Sequence, residues 1–497
     1  MVGIIGFILD SDLTSMRFFK ITIIAAGFLV IFLFGTIVMA GEYFQLPGVM
    51  HIHTTFSSGR YSVEELIAKA NEKKLGVLVL TDHDQVVMEY GLFPLRNLLK
   101  KREERNSVLK GGPEVYLSEI RRLNTQQKSV IIIPGVQSSP FYFWKGNPLD
   151  RGLTAYGYRK ELLLIGLSDP DDYYSLPRLH GGYSTRYVRD LMPRFILFLI
   201  VLLLSIYFLF QKGKFRIGGI VLALLSIALM INHHPFKSSR FDPYHGDQGT
   251  APFQEVIDYV KNRGGHVFWA HPESNYSKNG VQMGPIKMLT EPYPDALIDS
   301  KHYTGFAAIY GDSARAADAG MHWDQILMEY CRGRRDQPVW AIAGSDFHQE
   351  KKGVELDTFQ TIFLVDANRS QDVLHALERG RIYAVRKSKD SRLSLDQFKI
   401  KDNSSDNEAI MGEEILLNGT PIVTGQISTL DQSRQDVKVS IIRDGKQKWT
   451  FEGQTPLDFH LVDQDRWNGK AFYRLDVKSK SGGYLLSNPI FITRNNS

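Results

Sequence analysis

Four short clusters in this chain combine histidine with acidic side chains or a second histidine: His51-Ile52-His53, Asp82-His83-Asp84, His271-Pro272-Glu273 and Asp346-Phe347-His348. Neutral imidazoles and carboxylates are the donors that hold zinc, manganese or iron. A divalent ion in such a donor set acidifies water toward neutral pH and takes up charge on a phosphoryl or carbonyl oxygen. Two ions side by side clamp both the attacking and the leaving oxygen. The chemistry expected is metal-assisted hydrolysis. His51 and His53 stand two residues apart, and in a strand such residues share a face, so both imidazoles can aim at one ion. A lone histidine is more often a hydrogen-bonded packing residue. The weight here comes from recurrence, because each cluster follows an apolar run. The single cysteine, Cys331, excludes a cysteine-based zinc site and an internal disulfide, and it reads as a half-buried helix residue.

The elements that position these clusters alternate between strand and helix. Strands are expected at 49–54, 77–81, 130–134, 161–167, 266–270, 306–310, 339–343 and 361–365, most of them short apolar runs of buried type. Ser62 and Glu65 form a capping-box pattern that opens a helix over 62–74, with Gly76 beyond its end. Charge-rich helical sequence follows to about 127. Further helices are expected over 252–263, 323–332 and 371–378, with Gly380 as the last stop. Such alternation predicts an α/β fold with mostly parallel strands and helices outside. Barrels of that kind carry their chemistry at the C-terminal strand ends, where the clusters fall. From 391 the pattern changes to alternating strands and turns, which predicts an antiparallel β-sandwich without a His/Asp cluster, suited to packing, a lid or an interaction.

Three charge-free runs point to a membrane. Residues 21–40 (ITIIAAGFLVIFLFGTIVMA) are long enough to cross a hydrocarbon core, and Arg17 and Lys20 before them favour a cytoplasmic N-terminus. Val38-Met39-Ala40 also resembles a signal-peptidase site, although an uncleaved anchor is the favoured reading. Residues 195–210 and 217–231 are apolar all round, and Lys212, Lys214 and Arg216 lie between or beside them, which predicts a transmembrane hairpin with a cytoplasmic turn. A hairpin returns the chain to the side it left. The expected organisation is therefore an anchor (1–41), a barrel in two parts (42–193 and 233–390) around a hairpin (194–232), and the sandwich (391–497). The catalytic part is expected on the non-cytoplasmic side, against lipid. Net charge is +5 over 497 residues with scattered Lys and Arg, so nucleic acid is expected at most as a substrate. Nothing in the sequence signals an oligomeric state.

The order H-x-H, TDHD, P-G-V-x, A-H-P and G-S-D-x-H resembles the PHP superfamily, named for polymerase and histidinol phosphatase, over about residues 49–390. GGHVFWAHPE and LERGRIYAV look like its CehA/McbA-type metallohydrolase branch. The resemblance implies a distorted (β/α)7 barrel with up to three metal ions. The implied activity is mainly phosphoester hydrolysis of nucleotide phosphatase or 5′–3′ exonuclease type, with carbamate ester hydrolysis in some members. By position, His51 and His53 with Asp346 match ligands of a first ion, His271 of a second, and His83 and His348 of a third. Gln137 stands where a glutamate usually bridges two metals, and Ser58 where an acid or histidine is usual. A neutral amide brings no charge to hold two cations together, so one or two ions are expected rather than three.

The candidate catalytic residues are His271 or His348, to protonate the leaving oxygen, and Asp82, to orient a histidine. Glu273 reads as either a base or a helix-start acid. Arg178, Arg186 and Arg189 read either as partners for phosphate or as facing anionic lipid, with lipid favoured; His233 and His234 are expected to lie at the interface, and Lys145 to be a weak anion site. Residues 242–247 offer a substrate loop. The leading expectation is a membrane-anchored, metal-dependent phosphoesterase. The alternatives are a carbamate or carboxylic ester hydrolase at the same site, and a non-catalytic membrane sensor or scaffold.

Overall fold

A computed structural model describes residues 43–148, 152–312, 314–389 and 391–494. The apolar segment 21–40 and its anchor and cleavage readings lie outside the described residues. The described chain is a mixed α/β protein. Its strands, in order, are β1 (Phe44–Ile52), β2 (Val77–Leu80), β3 (Asp82–His83), β4 (Val87–Gly91), β5 (Lys100–Glu104), β6 (Ile131–Ile133), β7 (Gly135–Ser138), β8 (Phe143–Lys145) and β9 (Thr154–Tyr156). They continue with β10 (Leu162–Ile165), β11 (His266–Trp269), β12 (Val281–Met283), β13 (Ile286–Leu289), β14 (Gly305–Ile309), β15 (Trp340–Phe347), β16 (Phe359–Val365) and β17 (Ile382–Arg386).

The pairings run in a circuit. β1 pairs with β2 and β2 with β6, both parallel, and the continuations β3 and β7 pair in the same sense. β7 joins β10, β10 joins β11, β11 joins β14, β14 joins β15, and β15 returns to β1. β10 runs antiparallel to both neighbours, while the other links are parallel. Uninterrupted apolar runs such as VLVL and LLLI make these strands, because both faces are buried. One face packs a core containing Met50, Val79, Ile133, Leu163, Phe268 and Ile342. The other packs against helices, among them Val63–Glu72, which carries both bonds of the Ser62/Glu65 capping box.

Two elements differ from the sequence expectation. The charge-rich stretch after residue 85 is not helical from the outset. It first forms the β4–β5 hairpin, and helices follow at Val108–Gly111 and Pro113–Gln126. Val87, Glu89 and Gly91 are buried in alternation, a period of two, and Pro94 in the turn blocks a helix. The C-terminal region, in turn, is not a separate antiparallel unit. Its strand Tyr484–Ser487 pairs with β17, so one sheet continues from the histidine-bearing part into the C-terminal part. Glu414–Leu417 and Ile490–Arg494 pair in parallel within it. A second sheet of Glu408–Ile410, Leu393–Asp402, Pro421–Thr429 and Leu457–Val462 closes a core of its own.

The junction is buried. Arg474 donates from Nε to Asp324 Oδ1 (2.6 Å) and from Nη2 to Asp324 Oδ2 (2.8 Å), and both side chains are fully enclosed. Asn488 bonds both the N–H and the carbonyl of Ala341. Ala341 is near the start of β15 and Asp346 near its end, so this region braces the ends of the strands opposite the histidines. It is not a lid.

Two apolar helices, Val188–Leu209 and Lys214–Asn232, pack on each other and are long and apolar enough to cross a membrane. Most of their large side chains are exposed. What they bury is small or polar: Ser205, Gly219, Ser226 and Asn232. A Cβ at Gly219 would stand 2.9 Å from Phe208, so the glycine permits the close approach.

Candidate metal centre

The ends of β1, β3, β7, β11 and β15 bring seven expected residues into one pocket: His51, His53, His83, Gln137, His271, Asp346 and His348. The donor atoms fall into two groups, His51 with His271 and Asp346, and His53 with His83 and His348, each within 4.8 Å of one another. His51 Nε2 and His53 Nε2 lie 3.3 and 3.4 Å from Asp346 Oδ1, which ties the groups together. The His53 ring stands 4.6 Å from that of His83 and 4.1 Å from that of His348. Gln137 sits beside His83 across the β3–β7 pairing, buried, and neither amide atom has a hydrogen-bond partner. Ser58 is exposed on the rim of the adjoining cavity.

His51 and His53 do share a side, but regular strand alternation is not the cause. His51 takes φ +68°, and the β1 register shifts between Met50 and Ile52. His271 (φ +25°) and Asp346 (φ +47°) also lie in the left-handed region that favours glycine.

Glu161, just before β10, was not singled out from the sequence. Its Oε2 lies 3.2 Å from His271 Nε2, and the side chain is buried. Leu163 of β10 stands opposite Gln137, so Glu161, two residues earlier, faces the same way as Gln137. A carboxylate missing on one strand is thus present on the next. The available signal was one acid at the head of the apolar run ELLLIGL. Arg159 reaches the same place, 4.0 Å from both Glu161 and Asp346, with its guanidinium over the Tyr276 ring.

Burial decides the protonation of this pocket. It lowers the pKa of His51 to about 4, and of His53 and His83 to about 3. All three are neutral at pH 7 and offer lone pairs. Burial opposes charge on Asp346, but His51 and His53 overrule it and hold the carboxyl well below its usual range. At Glu161 burial again opposes charge, while Arg159 and then His271 bring the pKa down to about 2. His271 loses by burial and gains more from Glu161, so its pKa is raised.

His51 Nε2, His53 Nε2, both His271 nitrogens, Glu161 Oε2 and Asp346 Oδ1 are buried without a hydrogen-bond partner. Orphaned polar atoms cost free energy unless something else satisfies them. Neutral imidazoles interleaved with two carboxylates fit a divalent ion of the zinc, manganese or iron type.

Of the other sequence candidates, Asp82 takes the orienting place expected of it, and the rest serve elsewhere than expected. Asp82 accepts from the Thr54 N–H (2.7 Å), Thr54 Oγ1 (2.8 Å) and Ser57 Oγ (2.5 Å), and Ser57 in turn meets His53 Nδ1 at 3.3 Å. It braces the loop after His53 and acts on that ring only through Ser57, so it is a positioning residue and not a catalytic one. Glu273 Oε2 accepts from the backbone of Arg315 and Ala316, which makes it a loop brace. Arg178 does not face lipid: it is buried and lies 3.6 Å from Asp84 on the cavity wall. Lys145 is exposed over the Phe143 and Tyr156 rings. Tyr244, in the 242–247 loop, accepts from the Gly91 N–H at 2.5 Å and so supports the β4–β5 hairpin.

Residues 50–192 match the family model described as PHP domain. That span resembles a PHP domain. The first His cluster, the β3 cluster, Gln137 and Glu161 all lie inside it. No curated protein matches the chain. Among solved structures it is similar to a two-domain Bacteroides vulgatus protein described as containing a PHP-like metal-dependent phosphoesterase. That pair shares 12% identity, with 90% of this chain and 96% of the other covered and a TM-score of 0.33. A Bifidobacterium adolescentis protein described as a metal-dependent phosphoesterase is similar at 14% identity, covering 62% of this chain and 90% of the other, with a TM-score of 0.27.

Proposed function

We propose that this protein is a membrane-anchored, metal-dependent phosphoesterase. The observation that carries the reading is the convergence of two groups of orphaned histidine and carboxylate donors in a chain that resembles a PHP domain over residues 50–192. We read the closed circuit of strands as the distorted (β/α)7 barrel of that family. His51, His271 and Asp346 would hold one ion with Glu161, and His53, His83 and His348 a second, so one or two ions are assigned. Bound there, a divalent ion supplies positive charge for phosphoryl oxygens and acidifies water. The rest falls to the chain. Arg159 provides a guanidinium for a non-bridging phosphate oxygen beside the two carboxylates. Glu161, 3.2 Å from His271, fixes the orientation of that ring and brings the centre its second carboxylate. Asp82, through Thr54 and Ser57, fixes the loop that carries His53. The apolar helices Val188–Leu209 and Lys214–Asn232 are read as crossing the bilayer as a hairpin, with the PHP domain on the non-cytoplasmic side.

The test is metal content and hydrolysis in the full-length protein purified in detergent. About one or two equivalents of a transition metal are expected. Cleavage of p-nitrophenyl phosphate should exceed that of p-nitrophenyl acetate and be abolished in His51→Ala. Faster turnover of the acetate would favour an ester hydrolase. Metal-free protein, with every activity unaffected by His51→Ala, would leave the scaffold reading. A reporter fused after Ser497 should be active only outside the cytoplasm.

A further inference from the structure

A cavity of about 810 Å³ opens directly from the metal centre. Its inner end carries His83, His348, Glu161 and Arg159. Its walls are mostly apolar and aromatic, with Met88, Tyr90, Trp144, Leu153, Leu179 and Ile286 among them. A site for a small hydrophilic phosphate would not need such walls, because apolar surface around a polar ligand leaves that ligand desolvated without compensation. The lining fits a molecule with one charged end and one apolar end.

The wall formed by β4 and β5 leads away from the site. β4 starts four residues after His83 and runs about 17 Å at the usual rise per residue. At its far end the hairpin turn exposes Leu92 (55%), Phe93 (81%), Leu98 (42%) and Leu99 (55%). Four large apolar side chains on one turn call for a cover. The cover is indicated by what the turn is fastened to. The Asn97 N–H donates to Asn232 Oδ1 and Asn97 Nδ2 to the Asn232 carbonyl, both at 2.7 Å. Asn232 is the last residue of the second apolar helix. The turn is therefore held at the level where that helix ends, and Ile231, the residue before Asn232, is itself exposed. Lys100, Lys101 and Arg102 follow the turn and are ion-paired with Glu89, Glu103 and Glu104 of the same hairpin.

We infer that the substrate is an amphiphilic phosphoester, a phosphate headgroup on a hydrocarbon chain, drawn from the bilayer along the β4–β5 hairpin. The phosphate goes to the histidine pocket and Arg159, and the chain lies against the apolar wall. The inference rests on the phosphoesterase reading for its chemistry, but the cavity and the hairpin turn can be tested apart from it.

The experiment uses full-length protein in lipid nanodiscs and alkyl phosphates with chains of about two, six and twelve carbons. Each methylene buried should raise kcat/KM by roughly 3–4-fold until the chain leaves the cavity. A non-hydrolysable dodecylphosphonate, titrated calorimetrically, should bind far more tightly than ethylphosphonate. Met88→Trp, which fills the cavity, should remove that difference. Replacing Leu92, Phe93, Leu98 and Leu99 together by serine touches only exposed side chains. It should slow turnover of dodecyl phosphate embedded in the bilayer and not of the same ester supplied as monomer. Hydrolysis of short esters or nucleoside monophosphates with no chain-length dependence would overturn the amphiphile inference and leave the phosphoesterase standing. Chain-length-dependent phosphonate binding without hydrolysis of any phosphate ester would do the reverse. Equal effects of the serine variant on embedded and monomeric ester would refute entry from the bilayer.

Discussion

Glu161→Gln removes one negative charge from the centre and keeps the side chain's shape. Two outcomes are separable by size. If Glu161 only orients His271, as an outer partner of a metal ligand, its loss weakens metal binding by about 10- to 100-fold. If it supplies the second carboxylate of the site, the cost is that of removing one member of a buried charge group, about 3–5 kcal/mol, or roughly 150- to 5,000-fold. The surroundings favour the larger figure. Glu161 is buried, its Oε2 has no hydrogen-bond partner, and Gln137 supplies no charge. Equilibrium dialysis against a graded metal buffer, read by elemental analysis, measures the affinity directly. A transplant sharpens the test. Positions 137 and 161 are diagonal neighbours across β7 and β10, about 7–8 Å apart between backbones, within reach of long side chains. Glu161→Gln combined with Gln137→Glu should therefore recover most of the lost affinity, whereas Gln137→Glu alone should add to the wild-type value. An affinity for Glu161→Gln within about threefold of wild type would refute the assignment.

Chelator-treated protein should lose thermal stability as pH falls from 6.5 toward 4, because His51, His53 and His83 stay neutral when folded while the unfolded chain takes up their protons. The fall should continue below pH 4, where the unfolded chain protonates Asp346 and Glu161 before the folded one does, and a melting temperature that rises on acidification would contradict the burial argument. Arg159→Met should lower kcat/KM for phosphate esters by a charged hydrogen bond's worth, about 1.5–3 kcal/mol, with metal content unchanged; parallel loss of metal would make Arg159 a structural residue. Arg474→Met leaves Asp324 buried and unpaired and should destabilise the fold by about 3–5 kcal/mol in chemical denaturation. Arg474→Met with Asp324→Leu should recover much of it, and no recovery would mean the pair is not the source of the loss.

The histidines were legible because each stands directly after an apolar strand, and a strand end at the mouth of an α/β fold is where polar side chains gather. Glu161 was not, because it stands before its strand. β10 runs against its neighbours, so the head of that strand, not its tail, arrives at the histidine end. Strand direction is a property of the pairing and leaves no mark on ELLLIGL itself. The β4–β5 hairpin was lost under its charge: Lys100 to Glu104 are five charged residues in a row, all exposed on an edge strand, and such a run carries no period to read. The continuity of the C-terminal sheet with β17 depends on a pairing about a hundred residues apart in the chain, Tyr383 with Ser487, which alternation within either strand cannot predict.

Strain explains why the centre sits where the strands stop being regular. His51, His271 and Asp346 make up one donor group, and each has a left-handed backbone that costs a non-glycine residue on the order of 1–3 kcal/mol. Three such residues in one cluster are held only if their surroundings over-determine them. Part of that hold is visible in the backbone: the His53 N–H donates to the Phe347 carbonyl at 2.8 Å, and β1 pairs with β15 on both sides of the His51 irregularity. The two strands that carry His51 and Asp346 are thus locked together at the point where both deviate. The deviation turns His51 and Asp346 toward each other at 3.3 Å, a contact that removes hydration from both and leaves His51 Nε2 and Asp346 Oδ1 without hydrogen-bond partners. A fold that carries this cost without a ligand gains most from a ligand that satisfies several of these atoms at once, and a divalent cation does that with a single particle. The same logic explains the bracing by Asp82: spending a buried carboxylate on Thr54 and Ser57, and not on the ion, keeps the segment after His53 from relaxing out of its strained path.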